Sequence, residues 1–201
     1  MRTNYVLIDY ENVQPEVLQG LDEEHFRVLL FVGATQTKLS FEIVSAMQAL
    51  GTRGQYIKIS GNGSNALDFH IAFYIGHLAS QDTLAYFHII SKDTGFDPLI
   101  QHLKSRKIAV VRSKAIEDIP LLKAANSKSM PEKVDVVVAN LRQRGASKPR
   151  TFKTLSSTLS SLFQKQLSDD ELGALLSELE ARNIIVVSEN KVSYSLPESP
   201  S

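Results

Sequence analysis

Cysteine is absent from all 201 residues. That excludes disulfides and any Cys-ligated zinc. No apolar run reaches about 18 residues, so no transmembrane helix is expected. The opening stretch, MRTNYVLIDY, lacks the charge, apolar run and cleavage site of a secretory signal. A soluble, cytoplasmic protein that does not bind membranes is the expectation. The five histidines are scattered and form no His-x-x-x-His pair. His70 reads as a structural residue. Gly61-Asn-Gly63 lacks the Gly-Lys-Ser/Thr ending of a phosphate loop and reads as a turn. Net charge is missing too: 22 Lys/Arg balance 22 Asp/Glu.

That balance hides an asymmetry. Residues 1–99 carry 6 Lys/Arg and 11 Asp/Glu, residues 100–166 carry 14 and 4, and residues 167–201 carry 2 and 7. The basic middle has the footprint that nucleic-acid phosphates select. Apolar residues make up 43 % of the chain, enough for a core, and the length suits one medium domain plus a small one.

The first part of the chain alternates strands and helices. Tyr5 to Ile8, Arg27 to Val32, Gln55 to Ile59, Leu84 to Ile90 and Ile108 to Val111 read as strands. Leu39–Leu50 has helical spacing, with Ile43, Val44, Met47 and Leu50 on one face. Leu67–Leu78 is a strongly apolar helix, with Ser64 or Asn65 as its expected cap. Phe69, Phe73 and Tyr74 read as core residues of that helix. Pro98 stands at the start of another, where its missing N–H costs little. Strands separated by helices predict βαβ units and a parallel sheet with helices on both faces. Ligands of such sheets bind beyond the carboxyl ends of the strands.

Acids stand at those places. Asp9 ends the run in YVLIDYENV. Asp68 lies in SNALDFHIAFYIG, in the first turn of its helix. Asp93 and Asp97 lie in HIISKDTGFDPLI, after the fourth strand. A carboxylate at the edge of an apolar core is costly unless paired, hydrogen-bonded or bound to metal. Converging acids repel, and a divalent cation is the simplest neutraliser. Metal-dependent phosphodiester chemistry is the leading expectation. Oxygen ligands without Cys suit Mg²⁺ or Mn²⁺ better than zinc. Ser91 and Asn12 are placed to orient water or a carboxylate by hydrogen bonds. Glu11 points equally well to solvent or inward.

Together, VLIDYENV, NALDF and SKDTGFDPLI resemble the PIN-like nucleases, in particular their NYN-type branch, over residues 4–112. The resemblance implies a three-layer α/β/α fold whose acidic cluster binds Mg²⁺ or Mn²⁺ and hydrolyses RNA. By position, Asp9 would be the first metal ligand and Asn12 its polar partner. Asp68 would be the mid-chain acid, and Asp93 and Asp97 the final pair. The last two are spaced Asp-x-x-x-Asp, looser than the family's common Asp-x-Asp.

Residues 116–133 read as a boundary, with Pro120 and Pro131, so the expected domains are 1–125 and 131–197. In the second, Pro131–Leu141 and Phe152–Phe163 read as helices. Ser168-Asp-Asp-Glu171 is a capping box for a third, over Asp169–Arg182. Ile184–Val187 and Val192–Leu196 pair as a hairpin through Ser188-Glu-Asn-Lys. This part is similar to the LOTUS, or OST-HTH, winged helix, which accompanies such nucleases and binds RNA. The tract from Arg142 to Lys153 holds Arg142, Arg144, Lys148, Arg150 and Lys153 and no acid. It is the expected nucleic-acid contact. RNA is the expected partner in preference to DNA, and a homo-oligomer is compatible with the sequence. Two other classes compete with the nuclease: an RNA-binding protein that keeps the fold without turnover, and a phosphoryl-transfer domain on a similar sheet. Asp9-Tyr-Glu11 matches the Asp-x-Asp of the latter only in part.

Overall fold

The computed structural model describes residues 2–63, 65–127 and 129–197. The chain divides into two compact units, Met1–Ile119 and Pro120–Ser201.

In the first unit, five strands pair in parallel: β1 (Asn4–Asp9), β2 (Phe26–Val32), β3 (Gly54–Lys58), β4 (Tyr86–Ile90) and β5 (Ala109–Ser113). Their order is β3-β2-β1-β4-β5. Side chains alternate between faces along each strand. Leu7, Leu29, Phe31, Phe87 and Ile89 point to one face. There they pack against Ile71 and Ile75 of α2 (Ala66–Gln81) and Ile100 and Leu103 of α3 (Phe96–Ser105). Val6, Ile8, Val28 and Leu30 point to the other face and are fully buried as well. A sheet buried on both faces needs near-continuous apolar strands, and β1, β2 and β4 supply them. The result is the expected three-layer α/β/α fold. The helix α1 (Phe41–Ala49) is started by Ser40, whose Oγ accepts the Ile43 N–H at 3.3 Å. The α2 cap differs from expectation. Asn65 has φ 64° and makes no side-chain capping bond, while Ser64 lies outside the described residues.

The second unit holds α4 (Pro120–Asn126), α5 (Met130–Arg144), α6 (Phe152–Leu162), α7 (Asp169–Ala181) and an antiparallel hairpin of β6 (Ile185–Ser188) and β7 (Lys191–Tyr194). Its core is Val134, Val137, Leu141, Leu155, Leu159, Leu175, Leu179 and Ile185. Three helices open with capping boxes: Ser129–Glu132, Thr151–Thr154 and the expected Ser168–Glu171. Glu189 and Asn190 both have positive φ, as a two-residue I′ hairpin turn requires. The second unit is thus a helical region closed by a hairpin. Residues 120–125, expected as the end of the first domain, lie in α4, and Ala124 joins the second core. The units therefore separate at 119/120 rather than near 125. Pro120 opens α4 because its fixed φ suits a first helical turn. No helix among the described residues is long and apolar enough to cross a membrane.

Candidate active site at the carboxyl edge of the sheet

The strand order reverses at β1. Its chain neighbour β2 lies on one side and β4 on the other. The crevice beyond the carboxyl ends of β1 and β4 is thus the switch point of the sheet, the usual ligand position in open α/β folds. Asp9 ends β1 there. It follows Tyr5 and Leu7 on the face covered by α2 and α3, and it is fully buried.

Three donors hold the Asp9 carboxylate. Ser91 Oγ and Asn12 Nδ2 each donate to Oδ2 at 2.7 Å, and the Asn12 N–H donates to Oδ1 at 3.2 Å. The chain makes this possible by turning sharply: the Asn12 and Val13 N–H groups both bond the Asp9 carbonyl. Ser91, one residue past β4, is itself fully buried, and its Oγ accepts the Asp93 N–H at 3.0 Å. One hydroxyl therefore ties Asp9 to the loop that carries Asp93. Asp93 Oδ1 accepts the Gly95 N–H at 2.7 Å, which folds that loop back toward α3. A side chain at Gly95 would meet the same oxygen at 3.1 Å.

Asp68 stands in the first turn of α2, half-buried. Its carboxyl is pushed up to about 6, first by burial and then by the charges of Asp9, Asp93 and Glu11. Three acids from two other segments, Asp9 and Glu11 at the end of β1 and Asp93 after β4, thus act on Asp68 across this edge. Glu11 is the one that sequence reasoning left undecided. Its carboxylate lies over Gly33, just past the end of β2, where a Cβ would come within 1.8 Å of Oε1. A glycine ending the strand beside β1 was the available signal.

Asp97 does not join this group. It faces Arg112 of β5, whose Nε and Nη2 donate to its two oxygens at 2.9 and 3.1 Å. Arg112 Nη1 also reaches the Ser91 carbonyl at 3.3 Å. A guanidinium already offsets the charge of Asp97, and PIN-like metal binding at Asp97, expected from the sequence, is untested by this pair. Nor do the other acids form a ready cage. Among the described residues no three His, Asp or Glu donors stand close enough to grip one metal ion together. The donor set is nonetheless all carboxylate oxygen, which suits a hard divalent cation. Such a cation would offset the charges of Asp9, Asp93 and Glu11 that, after burial, disfavour the ionised form of Asp68.

Two further expectations differ. Phe69 and Phe73 are not core residues; they are 71 % and 65 % exposed. Only Tyr74 of that set packs against the core. His70 bonds the Ala66 carbonyl within its own helix, as a structural residue would.

In the second unit the basic tract runs from the end of α5 to the start of α6. Arg144 Nε donates to Asn140 Oδ1 at 2.9 Å. Lys148 donates to the Gly145 carbonyl at 2.7 Å and lies 6.0 Å from the Tyr194 ring centroid. Arg150 and Lys153 are exposed. The Val192 N–H donates to the Arg150 carbonyl and the Phe152 N–H to that of Asn190, which fixes the tract beside the hairpin.

A doubly covered parallel sheet with an acidic switch-point crevice defines an α/β protein of the kind whose chemistry lies at the strand ends. Residues 3–113 match the family model described as PIN domain, and the chain belongs to that family. PIN domains are typically metal-dependent nucleases. No curated protein matches the chain.

Proposed function

We propose that this protein is a divalent-metal-dependent endoribonuclease of the NYN branch, with Asp9, Asp68 and Asp93 as the metal-binding acids and Glu11 beside them. The observation that carries the reading is that the Ser91 hydroxyl ties Asp9 to the loop of Asp93 at the switch-point edge, with Asp68 within reach of both charges. Mg²⁺ or Mn²⁺, when bound, supplies charge neutralisation at the phosphate and lowers the pKa of a bound water. The chain's own residues do the rest. Ser91 and Asn12 fix Asp9 in one orientation, so it does not swing away under repulsion from its neighbours. The Gly95 N–H holds the Asp93 carboxylate, and Ser91 Oγ holds the Asp93 backbone N–H. Asp97 and Arg112 brace the same loop from behind.

The second unit is read as a LOTUS-type module that binds nucleic acid through Arg142, Arg144, Arg150 and Lys153, with Lys148 holding the loop in shape. Contacts of this kind go mainly to phosphates and position the strand without reading sequence. The reading is tested by incubating the full chain with labelled single- and double-stranded RNA and DNA in Mg²⁺, Mn²⁺ or EDTA. Metal-dependent cleavage of RNA in preference to DNA is expected. Binding of RNA without cleavage in either metal would replace the enzyme by an RNA-binding protein on the same fold.

A further inference from the structure

The outward face of α2 does not look like an ordinary solvated helix face. From Phe69 to Gln81 the helix carries no Lys, Arg, Asp or Glu. Phe69, Phe73 and His77 follow one another at i, i+4 and i+8, and the two phenylalanines are 71 % and 65 % exposed. The Phe73 and His77 rings lie parallel within 4°, with centroids 6.0 Å apart. Successive rings on such a stripe rise by about 6 Å along the helix axis. The stripe begins one residue after Asp68. It ends at a groove of about 370 Å³ by the amino ends of β1, β2 and β3, which Phe73 and His77 line together with Tyr5, Arg27 and Arg53. Both guanidiniums are spent only in part. Arg27 Nη1 bonds the Glu24 and Phe26 carbonyls, and Arg53 Nη1 bonds those of Leu21 and Glu23. Neither forms an ion pair with a carboxylate among the described residues, and each keeps N–H groups for another acceptor.

We infer that this face of α2 is a stacking track for single-stranded RNA: bases lie on Phe69, Phe73 and His77 as the strand leaves the acidic centre, and a phosphate a few nucleotides from the scissile one is held by Arg27 and Arg53. Three features favour RNA over a protein partner. The rings start beside the acids proposed to cut, cations wait at the far end, and no acid after Asp68 repels phosphate along the way. Base–aromatic stacking tolerates any sequence, because every base has a π-face. The inference rests on reading the acids as the cleavage centre, and it deepens that reading by making the substrate single-stranded next to the cut.

The test uses the full chain and short fluorescent oligouridylates, with affinity measured in EDTA so that nothing is cleaved. Phe73→Ala and Phe69→Ala should each weaken binding by about five- to a hundredfold, the loss expected for one stacked base. Phe73→Trp should restore it and Phe73→Leu should not, since leucine keeps apolar area without a stacking face. Phe41→Ala, at an 80 % exposed phenylalanine on α1, should change nothing. In Mn²⁺ the stripe variants should raise KM with little change in kcat. Ring-dependent binding in EDTA supports the track even if the wild type proves unable to cleave, so the two readings fail separately. Binding that is equal for wild type, Phe69→Ala and Phe73→Ala would overturn it. So would a wild-type dimer that the alanine variants split into monomers without loss of RNA affinity, which would make the stripe a contact between copies.

Discussion

Ser91 Oγ donates to Asp9 Oδ2 at 2.7 Å, from one residue past β4 to the last residue of β1. Both residues are fully buried. A buried carboxylate is tolerable only when its lone pairs are met. Ser91→Ala removes one of three donors to Asp9 and also frees the Asp93 N–H. Stability should fall by about 1–3 kcal/mol in urea unfolding. Metal-dependent cleavage should fall about ten- to a hundredfold. Ser91→Thr, which keeps the hydroxyl, should retain more activity than Ser91→Ala; equal loss in both would mean that packing rather than the hydrogen bond matters.

Asp97 and Arg112 pair at 2.9 Å, with the Asp97 side chain about half exposed and that of Arg112 mostly buried. Asp97→Asn should therefore cost about 1 kcal/mol or less, the scale of a partly exposed ion pair. Cleavage should stay within a few-fold of wild type. A loss as deep as that of an Asp9 or Asp93 variant would return Asp97 to the metal set.

Asp68 carries the pH signature of the site. Its folded-state pKa, about 6, is raised above the ordinary carboxylate value. The neutral form is the one the metal-free fold favours. Its contribution to stability is present below the ordinary value of 3.8 and is lost as pH rises through about 6. In metal-free buffer at pH 7, Asp68→Asn should raise Tm, because it keeps the shape and removes the charge. The gain should vanish near pH 4, as calorimetry at the two pH values would reveal. Added Mn²⁺ should raise the Tm of the wild type and not of the variant.

Much of this was readable in the chain. Asp9 and Asp93 were predictable as neighbours because each follows an apolar strand, and a β1–β4 pairing places them on one edge. The Ser168 capping box and the hairpin around Glu189-Asn190 follow from local residue chemistry alone. What could not be read depends on contacts across the fold. The Asp97–Arg112 pair needs β5 beside β4. Glu11 lies in the space over Gly33 that a side chain there would fill. The exposure of Phe69 and Phe73 contradicts the apolar pattern of α2, since hydropathy marks a helix as buried without saying which of its faces is left uncovered. The unit boundary moved because Ala124 found its core in the helices that follow it.

The basic tract divides by how its side chains are used. Arg150 and Lys153 are exposed, whereas Lys148 is held by Gly145 and Tyr194. Arg150→Ala with Lys153→Ala should weaken binding to long RNA and lower the salt slope by about one per lost phosphate contact. Cleavage of saturating short oligonucleotides should be unchanged. Lys148→Ala should instead lower Tm. An unchanged salt slope in the double variant would make the tract an ordinary solvated loop.

The central claim is that the switch-point acids cut RNA through a divalent ion. Its most direct test is cleavage of a labelled single-stranded RNA by wild type and by Asp93→Asn, each in Mn²⁺ and in EDTA, with circular dichroism to show that both are folded. Wild type in Mn²⁺ should cleave. Wild type in EDTA and the folded Asp93→Asn variant in Mn²⁺ should lose at least about a hundredfold in rate, which corresponds to about 2.7 kcal/mol of transition-state stabilisation. Undiminished cleavage in EDTA, or full activity of folded Asp93→Asn, would contradict the account.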